Sequence, residues 1–192
     1  MTDFTLSSGS ICQPYRSPWG SFPIKTMSVS TGISSATIFP GAVLTLDWSG
    51  STVAGRVLPS TAGSVGGPHF MTVGIAASGV SGSTALAGGG TTVEIWEANP
   101  LVEFKAVTKG NTLQSSHVGL CKKLAKDSTL NIAYVDLTAS TASDWRVVIT
   151  DLINAEGDSG GYVAFKFLSR LTENIGSSIA LTSTTAILAF YR

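Results

Sequence analysis

Charged side chains are scarce in this chain of 192 residues. Only 12% of its residues are Asp, Glu, Lys or Arg, about half the share found in ordinary soluble domains. The 12 basic and 12 acidic residues cancel to a formal net charge of zero, so neither nucleic acid nor an anionic membrane is an expected partner. A surface with so little charge favours a chain that is packed among other proteins. A neutral, Thr-rich β protein that tolerates such a surface fits the composition equally well.

Cysteine and long apolar runs are scarce as well. Cys12 and Cys121 lie far apart, and neither a CxxC motif nor a Cys/His cluster is present, so a structural zinc site is not expected. A disulfide is possible from the sequence, but a cytosolic origin favours two free thiols. The first residues lack the basic and apolar regions of a signal peptide, and no apolar stretch is long enough to span a bilayer. We therefore expect the protein to be made and kept in the cytosol, unless it leaves inside a larger particle.

Helical periodicity is also missing, and a period of two takes its place from Gly41 onward. The best helix candidate, residues 118–126, would form one or two turns at most. Short alternating runs rich in β-branched and aromatic residues, bounded by Gly, Asn, Asp or Ser, predict strands. These runs fall at residues 44–48, 92–95, 102–106, 130–134, 145–150 and 162–168. Alternation leaves one solvated face on each strand, so the chain is predicted to be all-β, an antiparallel barrel or sandwich over residues 41–192.

Residues 1–40 have a different pattern and are predicted to form an extended arm. Pro14, Pro18, Pro23 and Pro40 interrupt any helix or central strand. The apolar residues between these prolines follow neither a helical nor a strand period. Such a segment is too apolar for a solvated linker and too broken for a core of its own. It either lies on the surface of another protein or wraps around its own domain, and the sequence does not choose between the two.

One motif invites a catalytic interpretation. Residues 157–161 read Gly-Asp-Ser-Gly-Gly, the nucleophile motif of chymotrypsin-like serine proteases, with Ser159 as the nucleophile. His69 and His117 are the available bases, and Asp127 and Asp136 are candidate acids. Neither histidine has the flanking residues of that family, and few residues follow the motif. A tight turn between two strands also requires Gly and Asp at these positions, so we predict a turn and no enzyme.

The remaining aspartates indicate no other site chemistry. The aspartates of the second half adjoin strand ends and lack the alternating spacing of a calcium loop, so no metal is expected. The glycines at residues 88–90 are followed by no Lys-Ser/Thr pair, so they do not form a phosphate-binding loop and no cofactor is expected.

An ordered series of segments resembles the small β-barrel decoration (cement) proteins of tailed-phage capsids. In the stretch Val-Glu-Ile-Trp-Glu-Ala-Asn-Pro-Leu-Val-Glu-Phe-Lys-Ala-Val, a strand ends in an Ala-Asn-Pro turn that a hydrophobic residue and an alternating strand follow. Further matching elements come downstream in the same order, and the match covers about residues 70–168. The segments are residues 93–107, 116–119, 129–136, 145–149 and 161–167. Residues 172–192 and the arm lie outside this match.

The resemblance implies a β-barrel module that binds the outside of an icosahedral head and locks capsomers together. Its implied partners are the major capsid protein and further copies of itself, with a homotrimer preferred and a dimer possible. Its location would be the capsid exterior, and the host cytoplasm before assembly. The family carries no catalytic residues. We expect the arm to make the capsid contacts, through Trp19, Phe22, Ile24 and Phe39, with its prolines lowering the entropy cost of ordering. A host- or glycan-binding β module that uses Trp48, Trp96 and Trp145 is a further alternative, although such residues are more often core.

Overall fold

The structure, a computed structural model, describes residues 11–29, 38–46, 57–59, 72–80, 91–127, 132–138 and 146–168. Within these ranges the chain is all-β, as the alternating pattern predicts. It contains eleven strands and one 3-10 turn at Ser115–His117. The strands are β1 (Gln13–Arg16), β2 (Ile24–Ser28), β3 (Val43–Leu46), β4 (Val57–Pro59), β5 (Thr72–Ala76), β6 (Thr92–Glu97), β7 (Glu103–Lys109), β8 (Cys121–Lys126), β9 (Ala133–Asp136), β10 (Val147–Leu152) and β11 (Tyr162–Phe167).

Strands β7 to β11 form a closed five-stranded barrel. Their order is β7-β11-β10-β8-β9, with antiparallel pairing throughout. Strand β9 then pairs with β7 in parallel, Thr108 opposite Val135, and this pairing closes the ring. The ring encloses a core of aromatic and branched side chains, in which Phe104, Phe165 and Phe167 contact one another at ring-centroid distances of 5.2–6.0 Å.

Strands β2 to β6 form a second sheet, here called the N-terminal sheet, which follows the same plan. Its order is β2-β6-β5-β3-β4, again antiparallel throughout. Val57 at the start of β4 makes a parallel bridge to Val29, directly after β2, and this bridge brings the two edges of the sheet together. A second core lies inside it, with Val29, Leu44, Val57, Val93 and Ile95 fully or almost fully buried.

The correspondence between the two rings extends to single residues. Gly41 and Gly119 occupy equivalent places. Each lies two residues before the strand that comes second in sequence in its ring, β3 or β8, and their φ angles are 83° and 85°. The N–H of Gly41 donates to the carbonyl of Ala76, and the N–H of Gly119 donates to the carbonyl of Ile149, each at 2.8 Å. Both acceptors lie in the following antiparallel partner strand, β5 or β10. A positive-φ glycine with the same backbone hydrogen bond therefore precedes the equivalent strand in each ring.

The first strand of each ring shows the same agreement. Val29 donates its N–H to Thr91, just before β6, and Thr108 donates its N–H to Gly161, just before β11, each at 2.9 Å. If Val29 is equivalent to Thr108, then the residues five positions earlier, Ile24 of β2 and Glu103 of β7, are equivalent as well. The N-terminal sheet and the barrel are thus two copies of one five-stranded unit, joined by residues 98–102.

The described part of the predicted arm lies on its own chain. Strand β1 pairs with the first half of β7 and forms an edge of the barrel sheet. Pro14 sits in this edge strand, where a missing N–H is tolerated. Strand β2 belongs to the N-terminal sheet, so the predicted boundary near Gly41 falls between β2 and β3. Residues 1–10 and 30–37 of the arm, and residues 172–192, lie outside the described ranges.

The best helix candidate of the sequence forms a strand. Residues 118–126 contain no helix, because residues 121–126 form strand β8 between β9 and β10. Lys122 in this strand is buried, and its Nζ donates to the carbonyl of Leu137 at 3.0 Å. A lysine stem packs well against an apolar interior when its ammonium reaches backbone oxygens, and strand pairing offers that arrangement here.

Candidate interaction surface

The serine motif lies in the connection between β10 and β11. Gly157 and Gly160 have φ angles of 90° and 76°, which glycine adopts without strain. The N–H of Gly157 donates to the carbonyl of Leu113 at 2.8 Å, and Leu113 in turn donates to the carbonyl of Asp158 at 2.9 Å. Ser159 forms an antiparallel bridge with Thr112. The motif thus lies between two strands, as predicted, but in a longer connection, from residue 153 to residue 161, than a tight turn. This connection is held against the loop after β7.

The residues proposed to complete a triad are engaged elsewhere. His117 is buried in the 3-10 turn, where its Nδ1 accepts the backbone N–H of Gln114 at 3.2 Å. Burial, and then the nearby charge of Lys122, lower the pKa of His117. Asp127 pairs with Lys109 at 3.1 Å, and Asp136 accepts from the hydroxyl of Thr138. His69 lies outside the described residues.

Other site chemistries have little support in the described ranges. No group of three His, Cys, Asp or Glu side chains there could hold a metal ion. No helix among these residues is long and apolar enough to cross a membrane. Cys12 and Cys121 are free, as expected. Both are also buried, and burial raises the pKa of both thiols.

Three of the four predicted contact residues present apolar side chains to solvent. The exposed fraction is 53% for Trp19, 57% for Ile24 and 43% for Phe39. Phe22 differs, because it is partly buried and packs against the core that contains the barrel interior. Phe22 therefore anchors residues 17–23 to the domain and offers less surface to a partner.

Strand register places the segments that hold two of these residues at the same end of the sheets as Leu101, which the sequence analysis did not select. Trp19 lies in the connection that follows Arg16, and Arg16 is opposite Glu103 at the start of β7. Ile24 is opposite Trp96 near the end of β6. The β1–β2 connection and the β6–β7 connection therefore run between the same two sheets at the same end. Leu101, in the latter connection, is 57% exposed.

Local turns hold the two loop residues in place. The N–H of Trp19 donates to the hydroxyl of Ser17 at 3.2 Å, and the N–H of Leu101 donates to Oδ1 of Asn99 at 2.8 Å. Such Ser and Asn turns fix the backbone of a short loop. We call Trp19, Ile24 and Leu101 the junction patch. Phe39 lies in the connection before β3 and is not part of this patch.

Charged side chains lie next to the junction patch on the barrel. Arg16 reaches Glu103 at 3.5 Å and Asp151 at 3.3 Å, and Lys166 lies 4.0 Å from Glu103. Exposed apolar side chains with charged groups close by in the same strands and loops are typical of surfaces that bind protein. It offers no nucleophile paired with a base.

The tryptophans give little support to a glycan site. Trp96 is partly buried and packs against the main core, so its ring is not free to stack on a sugar. Trp48 and Trp145 lie outside the described residues. Comparisons with protein-family models, with characterised proteins and with solved structures found no match to this chain.

Proposed function

We propose that this chain is a virion structural protein that decorates the outside of a tailed-phage head and stabilises the seams between capsomers. The junction patch carries the proposal: Ile24 and Leu101 are each 57% exposed, and both adjoin strands of a paired sheet. Exposed apolar groups on a chain with few charged residues are suited to burial against another protein. The resemblance of residues 70–168 to decoration proteins supplies the identity of that partner.

The mechanism is physical and needs no reacting group. A protein that binds across a seam binds the assembled shell and not its separated subunits, so it stabilises assembly by mass action. Each contact can be modest, because many symmetric copies act together. In this proposal the chain lies on the capsid exterior, contacts the major capsid protein and forms a homotrimer or a dimer there.

Substitution of the junction patch tests the proposal. Leu101→Glu and Trp19→Ser should each weaken binding of the purified protein to mature heads by tenfold or more, since a charge or a lost ring prevents apolar burial. Val118→Glu is the matched control, because Val118 is also an exposed apolar loop residue but lies beyond the far end of β7. Equal binding by all three variants would exclude the junction patch as the contact surface.

A further inference from the structure

The two rings differ in what covers their first strand. In the barrel, β1 pairs with the first half of β7, with Gln13 opposite Lys105 and Arg16 opposite Glu103. The matching half of β2 runs from Ile24 to Thr26, and no strand in the described ranges pairs with its edge away from β6. The side chains of Ile24, Lys25 and Thr26 are all exposed. One copy of the unit thus has a sixth strand on an edge that no described strand covers in the other copy.

The side chains at this edge also differ in chemistry. In the barrel, Glu103 lies 4.0 Å from Lys166 and 3.5 Å from Arg16 of the covering strand. The equivalents of Glu103 and Lys166 are Ile24 and Trp96, which are opposite each other in register. The barrel thus has an ion pair that Arg16 covers. The N-terminal sheet has an apolar pair at the same place, and its isoleucine is exposed. The edge of β2 is therefore suited to pair with a strand that resembles β1 but carries an apolar residue at the position equivalent to Arg16.

We infer that the open edge of β2 is a docking site for an extended segment of the shell protein. This segment adds a strand antiparallel to β2, in the register that β1 takes on β7, and sets an aliphatic side chain against Ile24. Unpaired strand edges accept such strands readily, because the backbone supplies hydrogen bonds and alternate side chains supply specificity. The identity of the segment's owner rests on the proposed function. The pairing itself rests on the equivalence of β2 and β7.

A second copy of this chain is the less suitable occupant. Full antiparallel overlap of β2 with its own copy would set Ile24 opposite Ser28 and Lys25 opposite Met27, which leaves the isoleucine without an apolar partner. Two open edges that pair would also give a dimer in free solution, and sedimentation would detect it.

A pair of peptides tests the pairing on the full chain. One peptide has the sequence of residues 12–18 with Cys12→Ser, and the other also carries Arg16→Leu. The wild-type protein should bind the leucine peptide at least fivefold more tightly than the arginine peptide, with shifts of the β2 amide resonances. Ile24→Glu introduces the residue that the barrel has at the equivalent position, Glu103, so this variant should bind the arginine peptide more tightly than the leucine peptide. Leu101→Glu, which changes an equally exposed neighbour outside the edge, should keep the wild-type preference. Absence of binding, or a preference that Ile24→Glu leaves unchanged, would overturn the inference.

A crosslinking experiment on decorated heads tests the owner of the segment. Thr26→Cys places a reactive thiol on the edge, and the two native thiols are buried, so a photo-crosslinker can be attached there alone. Crosslinks to the shell protein support the inference, and crosslinks to another copy of this chain overturn it. Heads that bind the protein while the peptide test fails would reject the inference and leave the proposed function standing. If Ile24→Glu reverses the peptide preference but the protein does not bind heads, the proposed function is rejected instead.

Discussion

The guanidinium of Arg16 lies 3.3 Å from the carboxylate of Asp151 and so connects the edge strand β1 to β10, across β7 and β11. The same group lies 3.5 Å from Glu103 and 4.6 Å from the centre of the Tyr15 ring. One side chain of the N-terminal segment is thus held by two carboxylates of the barrel. Its head group stays largely exposed, which limits the strength of these contacts.

Arg16→Ala should lower the thermal midpoint slightly, and the difference should disappear at high salt. Exposed ion pairs are screened strongly when the Debye length falls to about 3 Å in 1 M salt. Arg16→Lys should retain part of the effect, since it keeps the charge but loses the two-pronged geometry. Thermal unfolding of the three proteins at low and high salt provides the measurement. A difference that persists in 1 M salt would show that packing of the stem, rather than charge, is responsible.

Gly41→Ala and Gly119→Ala form a matched pair for the equivalence of the two rings. Both positions have a positive φ, so each alanine should cost about 1–2 kcal/mol of folding free energy through backbone strain. A Cβ at Gly119 meets no atom within 4 Å, whereas one at Gly41 lies 3.0 Å from the backbone nitrogen of Cys12. Gly41→Ala should therefore be the more destabilising change in urea unfolding. The reverse order would contradict the packing of residues 11–12 on this turn.

His117 predicts a loss of stability as the pH falls below neutrality. Its pKa in the folded protein is lowered, by burial first and then by Lys122. The unfolded chain therefore takes up a proton at a higher pH than the folded chain does, and stability must decrease as the pH falls through about 6.5. His117→Asn keeps an acceptor for the Gln114 N–H but removes this titration. Urea midpoints measured from pH 7.5 to 5.5 should fall for the wild type and fall less for the variant; parallel curves would contradict the assignment.

Ser159 should behave as a turn residue and not as a nucleophile. A fluorophosphonate probe should leave the native protein unlabelled, and Ser159→Ala should bind heads as the wild type does. The backbone of this turn is held by Leu113 on both sides, through Gly157 and Asp158, so removal of one hydroxyl leaves its frame in place. Stoichiometric labelling that Ser159→Ala abolishes would support the protease alternative.

The fold class could be predicted from the sequence because alternation is a local signal. Val147 and Ile149, like Val163, Phe165 and Phe167, are fully buried at every second position, as the period of two predicts, although Val148 and Ala164 between them are buried as well. The paired rings could not be predicted in this way. Equivalent positions carry different residues, for example Ile24 and Glu103, or Trp96 and Lys166. The repeat is therefore visible in the strand register and not in the amino-acid sequence.

The candidate site could be predicted only in part. Trp19, Ile24 and Phe39 were selected as apolar residues in a Pro-broken segment, and all three side chains are exposed. Phe22 looked equivalent to them, but its burial against the core depends on contacts between distant strands. Leu101 was missed because the placement of its loop at the same end as the β1–β2 connection follows from the pairing of β1 with β7. The Asn99 turn was its one local signal, since a short turn at a strand end exposes the residue that follows.

Binding of the purified full-length protein to mature, expanded heads tests the central claim most directly. Heads stripped of this chain should bind it to saturation at a fixed number of copies per capsomer, and the decorated heads should resist heating better than the stripped ones. Binding should fall by tenfold or more for Leu101→Glu and remain unchanged for Val118→Glu. Heads that gain neither bound protein nor thermal resistance at saturating concentration would contradict the decoration function.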